Sequence, residues 1–381
     1  MLRRDLLAAT AGVLTLPPMA ARAQSYGGAQ PAPPSYPPVD ERSVWLMGDA
    51  APSNPAETAR RLVALTEGRD QVRDAYLSQG AVAQLEARFA ALLGKEDCAF
   101  LPTGTLANQL AIRVLCDDHR RAVVQADSHV YQDESDAVQV LSGIHLDAVA
   151  PGVLPTPEMI AAAVEAADSG PYPRKTGVVS IESPVRRLQG RMPSLATVQA
   201  ISAWCRGRGV RLHLDGARLL LAPPELDLKA YAACFDTVYV STYKYLDAPF
   251  GAVLAGAKAD IDKVRELRHI FGGQIYQGWA PALLASASLE TFPDRIARAH
   301  GAARDLFRRL EASGRVKVRP EPEASNIFEL ELSPDLAAAA LARSQPEGVR
   351  IGMARDGVMP FFVNETILRR PVDDYVRIFL G

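Results

Sequence analysis

From Val44 onward the chain repeats one texture: a short apolar run, a polar break, then a segment with helical spacing. That alternation limits the possible folds more than any single residue does. Short apolar runs joined by helices indicate strands covered by helices on both faces, an α/β fold with a mostly parallel sheet. The runs are "CAFLP", "RAVVQADSH", "TGVVSIES", "VRLHLDGAR", "TVYVSTYK" and "GAVLAG". Between them, "AVAQLEARFAALLG" sets Val82, Leu85, Phe89, Leu92 and Leu93 at helical spacing and stops at glycine. "TGTLANQLAIRVLC" reads as a turn opening a helix, and "LATVQAISAWCRGRG" as a helix closed by glycine. After about Leu284 the texture changes to a long amphipathic helix, "RIARAHGAARDLFRRLEASG", and a strand, "ASNIFELEL". The reading is a large domain over 43–287 and a smaller C-terminal α+β domain over 288–381.

The first residues carry a different pattern. Arg3-Arg4, an apolar run from Leu6 to Leu16, and Ala21-Arg22-Ala23 follow the order of an export signal. The run is too short to span a bilayer, and the paired arginines favour the twin-arginine route to the periplasm. Residues 1–23 are therefore read as a signal peptide, against a short amphipathic anchor helix, with no membrane attachment in the mature form. That route carries folded proteins and suits a chain that loads a cofactor before export. Residues 24–42, rich in Pro and Gly, read as a linker.

A length of 381 residues, 48% hydrophobic, allows one large core plus a smaller one. The net charge of −2 gives no electrostatic case for nucleic acid or an acidic membrane. Cys98, Cys116, Cys205 and Cys234 form no Cys-x-x-Cys pair and read as small buried hydrophobes, although an exported protein can oxidise a pair. The histidines lack metal-ligand spacing, so no metal is expected.

Ligands of an open α/β sheet bind beyond the carboxyl ends of its strands. Thr103-Gly104-Thr105 follows the first run and opens a helix, which favours a phosphate, although a threonine there is also an ordinary helix cap. His129 follows the next run, and Glu182 ends the third. Asp215 ends the fourth with Arg218 just beyond, and Lys244 follows the fifth. Singly, Lys244 reads as a solvated lysine, His129 as a core histidine and Asp215 as an ion-pair partner of Arg218 or a helix N-cap. Together they supply a lysine for a Schiff base, an acid for a pyridine nitrogen and a phosphate cup, the needs of pyridoxal 5'-phosphate.

These residues carry a resemblance. "FLPTGTLAN", "DSHVYQDES", "LHLDGARL", "STYKYLDAPFGAVLAG" and "FGGQIYQGWAPALLA" are similar to segments of the low-specificity L-threonine aldolase and β-eliminating lyase family. The match runs from about Trp45 to the C-terminus. The resemblance implies a pyridoxal-phosphate enzyme of the aspartate aminotransferase fold type, with a mostly parallel sheet of the seven-stranded type. It implies phosphate contacts from Gly104 and Thr105, His129 stacked on the ring with Glu134 five residues later, and Asp215 at the pyridine nitrogen. It implies Arg218 near the cofactor or substrate carboxylate, Lys244 as the Schiff-base lysine, and Tyr76 in "VRDAY" as an active-site tyrosine. It also implies a homodimer or homotetramer acting on a small amino acid.

The departures fall on the amino-acid side. Gly48-Asp49 stands where the family has Ser-Asp, and Glu182-Ser183-Pro184-Val185 where it has Glu-Asn-Thr-His. Tyr276 stands in place of an arginine, and Phe361-Phe362 lies where a C-terminal arginine would clamp a carboxylate. Losing such a clamp weakens affinity and positioning. The expected activity is cleavage of a β-hydroxy amino acid to glycine and an aldehyde, with Lys244 and His129 as the reacting side chains. The rivals are β-elimination, racemisation or transamination with the same cofactor, and an exported protein that holds the cofactor without turnover.

Overall fold

The computed structural model describes residues 39–40, 42–68, 73–169, 171–319 and 324–381. The expected signal peptide over 1–23 and nearly all of the expected linker over 24–42 lie outside the described residues.

Twelve strands occur among the described residues: β1 (Val44–Leu46), β2 (Asp97–Leu101), β3 (Arg121–Gln125), β4 (His145–Val149), β5 (Thr176–Glu182), β6 (Arg211–Asp215), β7 (Thr237–Ser241), β8 (Ala252–Gly256), β9 (Val316–Arg319), β10 (Ile327–Leu332), β11 (Val349–Ile351) and β12 (Val358–Phe362). Seven form one sheet in the order β2-β8-β7-β6-β5-β3-β4. The run from β7 to β4 is parallel, and β8 is antiparallel to β2 and β7. Every residue of β5, β7 and β8 is buried, which explains why their sequences are apolar runs with no alternation.

Helices cover both faces, and their ends follow local chemistry. Gly94 and Gly209 close the helices Gly80–Leu93 and Leu195–Arg208 in the left-handed conformation that glycine adopts without strain. Thr103, Thr156, Ser194 and Ser333 cap helices with their hydroxyls. A second sheet of β12-β10-β9 and a parallel pair, β1 with β11, lie apart from the large one. The helix Trp279–Ala312 runs unbroken through Ala287, where the sequence suggests a change of domain, and Pro293 lies inside it. The four cysteines are buried free thiols, and burial pushes those of Cys116 and Cys205 up to about 12. Among the described residues no helix is long and apolar enough to cross a membrane.

Candidate active site

β2 ends at Leu101 and the chain turns at once into the helix Gly104–Cys116. First-turn N–H groups have no intrahelical partner. The Thr103 hydroxyl accepts from Leu106 N at 3.1 Å, which leaves the N–H groups of Gly104 and Thr105 at the cavity wall. Thr103 thus is an ordinary helix cap, and the cap and an anion cradle coexist. Gly104 is required by its neighbour: a Cβ there would lie 2.0 Å from the Tyr239 hydroxyl.

The parallel register brings two acids side by side, because Glu182 of β5 pairs with Asp215 of β6. Asp215 accepts from Asn108 Nδ2 at 2.8 Å and from Ala217 N at 3.1 Å. Its partner is not Arg218, which binds Asp49 instead. Glu182 accepts from His129 N at 2.6 Å and Arg186 N at 3.0 Å. Burial, then the neighbouring Asp215, push the Glu182 carboxyl up to about 7. Lys244 lies three residues past the end of β7, with Nζ 5.6 Å from the Tyr243 ring centre. Burial, then the Arg218 cation, hold its ammonium below the usual lysine range, against Asp215, Asp49 and Glu182. A lysine so held has more of its amine neutral and nucleophilic.

His129 opens a single helical turn after β3. Its Nδ1 lies 2.9 Å from Glu134 Oε1, and this bond is the main cause that raises the imidazole pKa. Asn108 Nδ2 donates to the same Oε1 at 2.9 Å. Gly104, Thr105, His129, Asp215, Arg218 and Lys244 all line one cavity of ≈ 460 Å³, together with Asn108, Glu182, Tyr239 and Tyr243. Glu134 stands behind His129, buried.

The remaining expected residues fall elsewhere. Tyr76 does not line this cavity. It is exposed, in the left-handed region at φ 54°, and packs edge-on against Tyr276 with ring centres 5.3 Å apart. Phe361 is buried against Phe307 and Phe379, so the position that departs from the family's arginine belongs to the core. Ser183 turns away as well, its hydroxyl 2.7 Å from that of buried Tyr231.

Three residues of the site, Asn108, His213 and Tyr239, stayed unread in the sequence, and a fourth, Glu182, was read there only as a strand-end acid. Asn108 was findable, one turn after Gly104 on a buried helix face. Glu182 carried a signal as a strand-end acid without a role. His213 and Tyr239 look like strand interior and gave none.

Lysine, carboxylate, imidazole and a glycine cradle with free N–H groups fit a phosphorylated pyridine aldehyde, and the cradle exists only because position 104 lacks a Cβ. Fold and site together define a pyridoxal-phosphate enzyme of the aspartate aminotransferase fold type. The model of the beta-eliminating lyase family matches residues 53–333, and the chain belongs to that family. It is a pyridoxal-phosphate-dependent lyase similar to threonine aldolases.

The low-specificity L-threonine aldolase 1 of Arabidopsis thaliana is 25% identical over 335 residues, 86% of this chain and 90% of that one. An alanine racemase of Cochliobolus carbonum is 30% identical over 300 residues, 74% of each chain. A crystal structure from Listeria monocytogenes ascribed to an L-allo-threonine aldolase matches with a TM-score of 0.74 at 26% identity, covering 89% of this chain and 96% of that one.

Proposed function

We propose that the protein cleaves a β-hydroxy amino acid into glycine and an aldehyde. One observation carries the reading: Lys244, Asp215, His129 and the Gly104-Thr105 N–H groups face a single cavity. Pyridoxal phosphate, when bound, supplies an electron sink for the bond broken at Cα. Lys244 would hold it covalently, Gly104 and Thr105 would hold its phosphate, Asp215 would face its ring nitrogen, and His129 would lie over the ring. With its Nδ1–H donated to Glu134, its Nε2 is left as the acceptor. Nε2 takes the proton of the β-hydroxyl through a water as the Cα–Cβ bond breaks. Arg218 turns its remaining N–H groups to the substrate carboxylate.

The test is a substrate panel of L-threonine, L-allo-threonine, serine and glycine, given to the cofactor-loaded protein. Acetaldehyde with glycine from either threonine is the expected result. Pyruvate with ammonia, or inversion at Cα, would instead establish elimination or racemisation. The altered amino-acid positions favour that second reading, as does the racemase relative. Trapping of the cofactor by borohydride with no product from any amino acid would leave a cofactor-holding role alone.

Two further proposals complete the reading. The protein acts in the periplasm after twin-arginine export, supported by Arg3-Arg4 and the short apolar run behind them. It acts as a homodimer or homotetramer, supported by the exposed aromatic pair Tyr76 and Tyr276. Fractionation of cells expressing the full chain and light scattering of the purified protein check the two.

A further inference from the structure

Asn108 stands between two carboxylates and one histidine. Its Nδ2 reaches Asp215 Oδ2 at 2.8 Å and Glu134 Oε1 at 2.9 Å. Its Oδ1 lies 3.1 Å from His213 Nε2. A carboxylate accepts and an amide nitrogen donates, so both N–H bonds of Asn108 are assigned by chemistry alone. The carbonyl oxygen must then face His213, and His213 Nε2 must carry the proton. The other ring nitrogen, Nδ1, is left to accept from the Thr237 hydroxyl at 2.9 Å. His213 is fully buried. The hydrogen bonds thus run from Thr237 through His213 and Asn108 to the two carboxylates.

We propose that Asn108 is a positioning residue whose amide is oriented by His213. In that orientation it fixes the carboxylates of Asp215 and Glu134 relative to each other, and through them the ring-nitrogen contact and the ring of His129. Asp215 keeps its second oxygen on Ala217 N, so two donors determine its plane. Glu134 Oε1 receives both Asn108 and His129, so one atom ties the asparagine to the imidazole. Asn108 Nδ2 is thus the one donor shared by the two acids. Burial drives the His213 imidazole down to about 4, which keeps its single-proton form through the neutral range. The inference rests on Asp215 facing the ring nitrogen, but its first test does not involve the cofactor.

That test is two-bond ¹H–¹⁵N spectroscopy of histidine-labelled protein, with and without cofactor. His213 is expected as a neutral ring protonated at Nε2, unchanged through the neutral range. A ring protonated at Nδ1 would overturn the inference, whatever Lys244 does. The second test compares variants by cofactor dissociation constant and by the pH dependence of the bound cofactor's absorbance. Removing a hydrogen bond to a charged group weakens binding by ~10–100-fold, which is the effect expected of Asn108→Leu and His213→Leu. His213→Gln keeps one donor and one acceptor, and is expected to stay close to the parent. A folded Asn108→Leu with unchanged affinity and an unchanged absorbance titration would also overturn the inference. If the leucine variants do not fold, the spectroscopic result on the parent decides. Failure of the cofactor reading itself shows separately, as no borohydride-trapped adduct on Lys244.

Discussion

Arg218 and Asp49 meet in a two-pronged ion pair, Nε to Oδ1 at 3.0 Å and Nη2 to Oδ2 at 2.9 Å, with both side chains largely buried. The acid that stands beside Gly48 near the start of the fold thus holds the arginine that follows Asp215. An arginine has five donor hydrogens, so two remain committed to Asp49 and three stay available toward the cavity. Removing one partner of a buried pair leaves an uncompensated charge and costs about 3 kcal/mol. Asp49→Asn is therefore expected to lower the unfolding midpoint clearly. It also frees the guanidinium to swing, so KM for the amino acid should rise about tenfold while kcat changes less. A variant with parental stability and KM would show that Asp49 does not position Arg218.

Lys244 gives the sharpest test of the cofactor assignment. Its ammonium is held below the ordinary lysine range by burial and by Arg218. Lys244→Ala removes the only lysine among the residues lining the cavity. Borohydride treatment followed by mass spectrometry is expected to find the adduct on the peptide containing residue 244 in the parent and nowhere in the variant. Activity should fall by about a thousandfold or more, because a covalent route is lost. An adduct on another lysine would disprove the assignment.

The cradle makes its own prediction. A methyl group at position 104 would meet the Tyr239 hydroxyl at 2.0 Å and its Cζ at 2.6 Å. Tyr239 is buried and in register with Asp215, so it has little room to move. Gly104→Ala is expected to cost roughly 1–3 kcal/mol by overpacking and to weaken cofactor binding. Adding Tyr239→Phe removes the hydroxyl and leaves Cζ, so the double variant should recover only part of the loss. Full recovery by the double variant would mean that the hydroxyl alone sets the limit. Calorimetry and a cofactor titration measure both effects.

The parts of this architecture that were legible in the sequence are those with a local cause. β2, β3 and β5 to β8 were visible as apolar runs because strands buried on both faces do not alternate, whether parallel or, like β2 and β8, antiparallel. Gly94 and Gly209 marked helix ends because a left-handed residue is required there. β4 escaped, since "HLDAV" at the sheet edge is partly exposed and reads as mixed. β1 and β11 have three residues each and depend on distant partners: Val44 pairs with Val349, across most of the chain. In the site, Lys244, Asp215, His129 and Gly104 announced themselves by standing at strand ends. Asn108 and His213 did not, because their roles exist only once β6 lies beside the helix Gly104–Cys116. Arg218 suggested Asp215 as its partner by proximity in sequence, and only the fold shows that Asp49 has that place.

Glu182 supplies a pH dependence with a definite sign. Its carboxyl has an ordinary value of 4.5 and stands at about 7 in the fold, through burial and the adjacent Asp215. A group whose pKa is raised by folding binds more protons in the native state. The stability it contributes is fully present below about 4.5 and is lost as pH rises through about 7. Glu182→Gln carries no titrating proton, so that decline should flatten across the same window. His129, also raised, tilts the parent in the same direction, and so only the difference between the two proteins reports Glu182. Unfolding midpoints of parent and variant, measured across this range without added cofactor, give that difference. Parallel curves would mean that Glu182 titrates as an ordinary carboxylate and that Asp215 does not press on it.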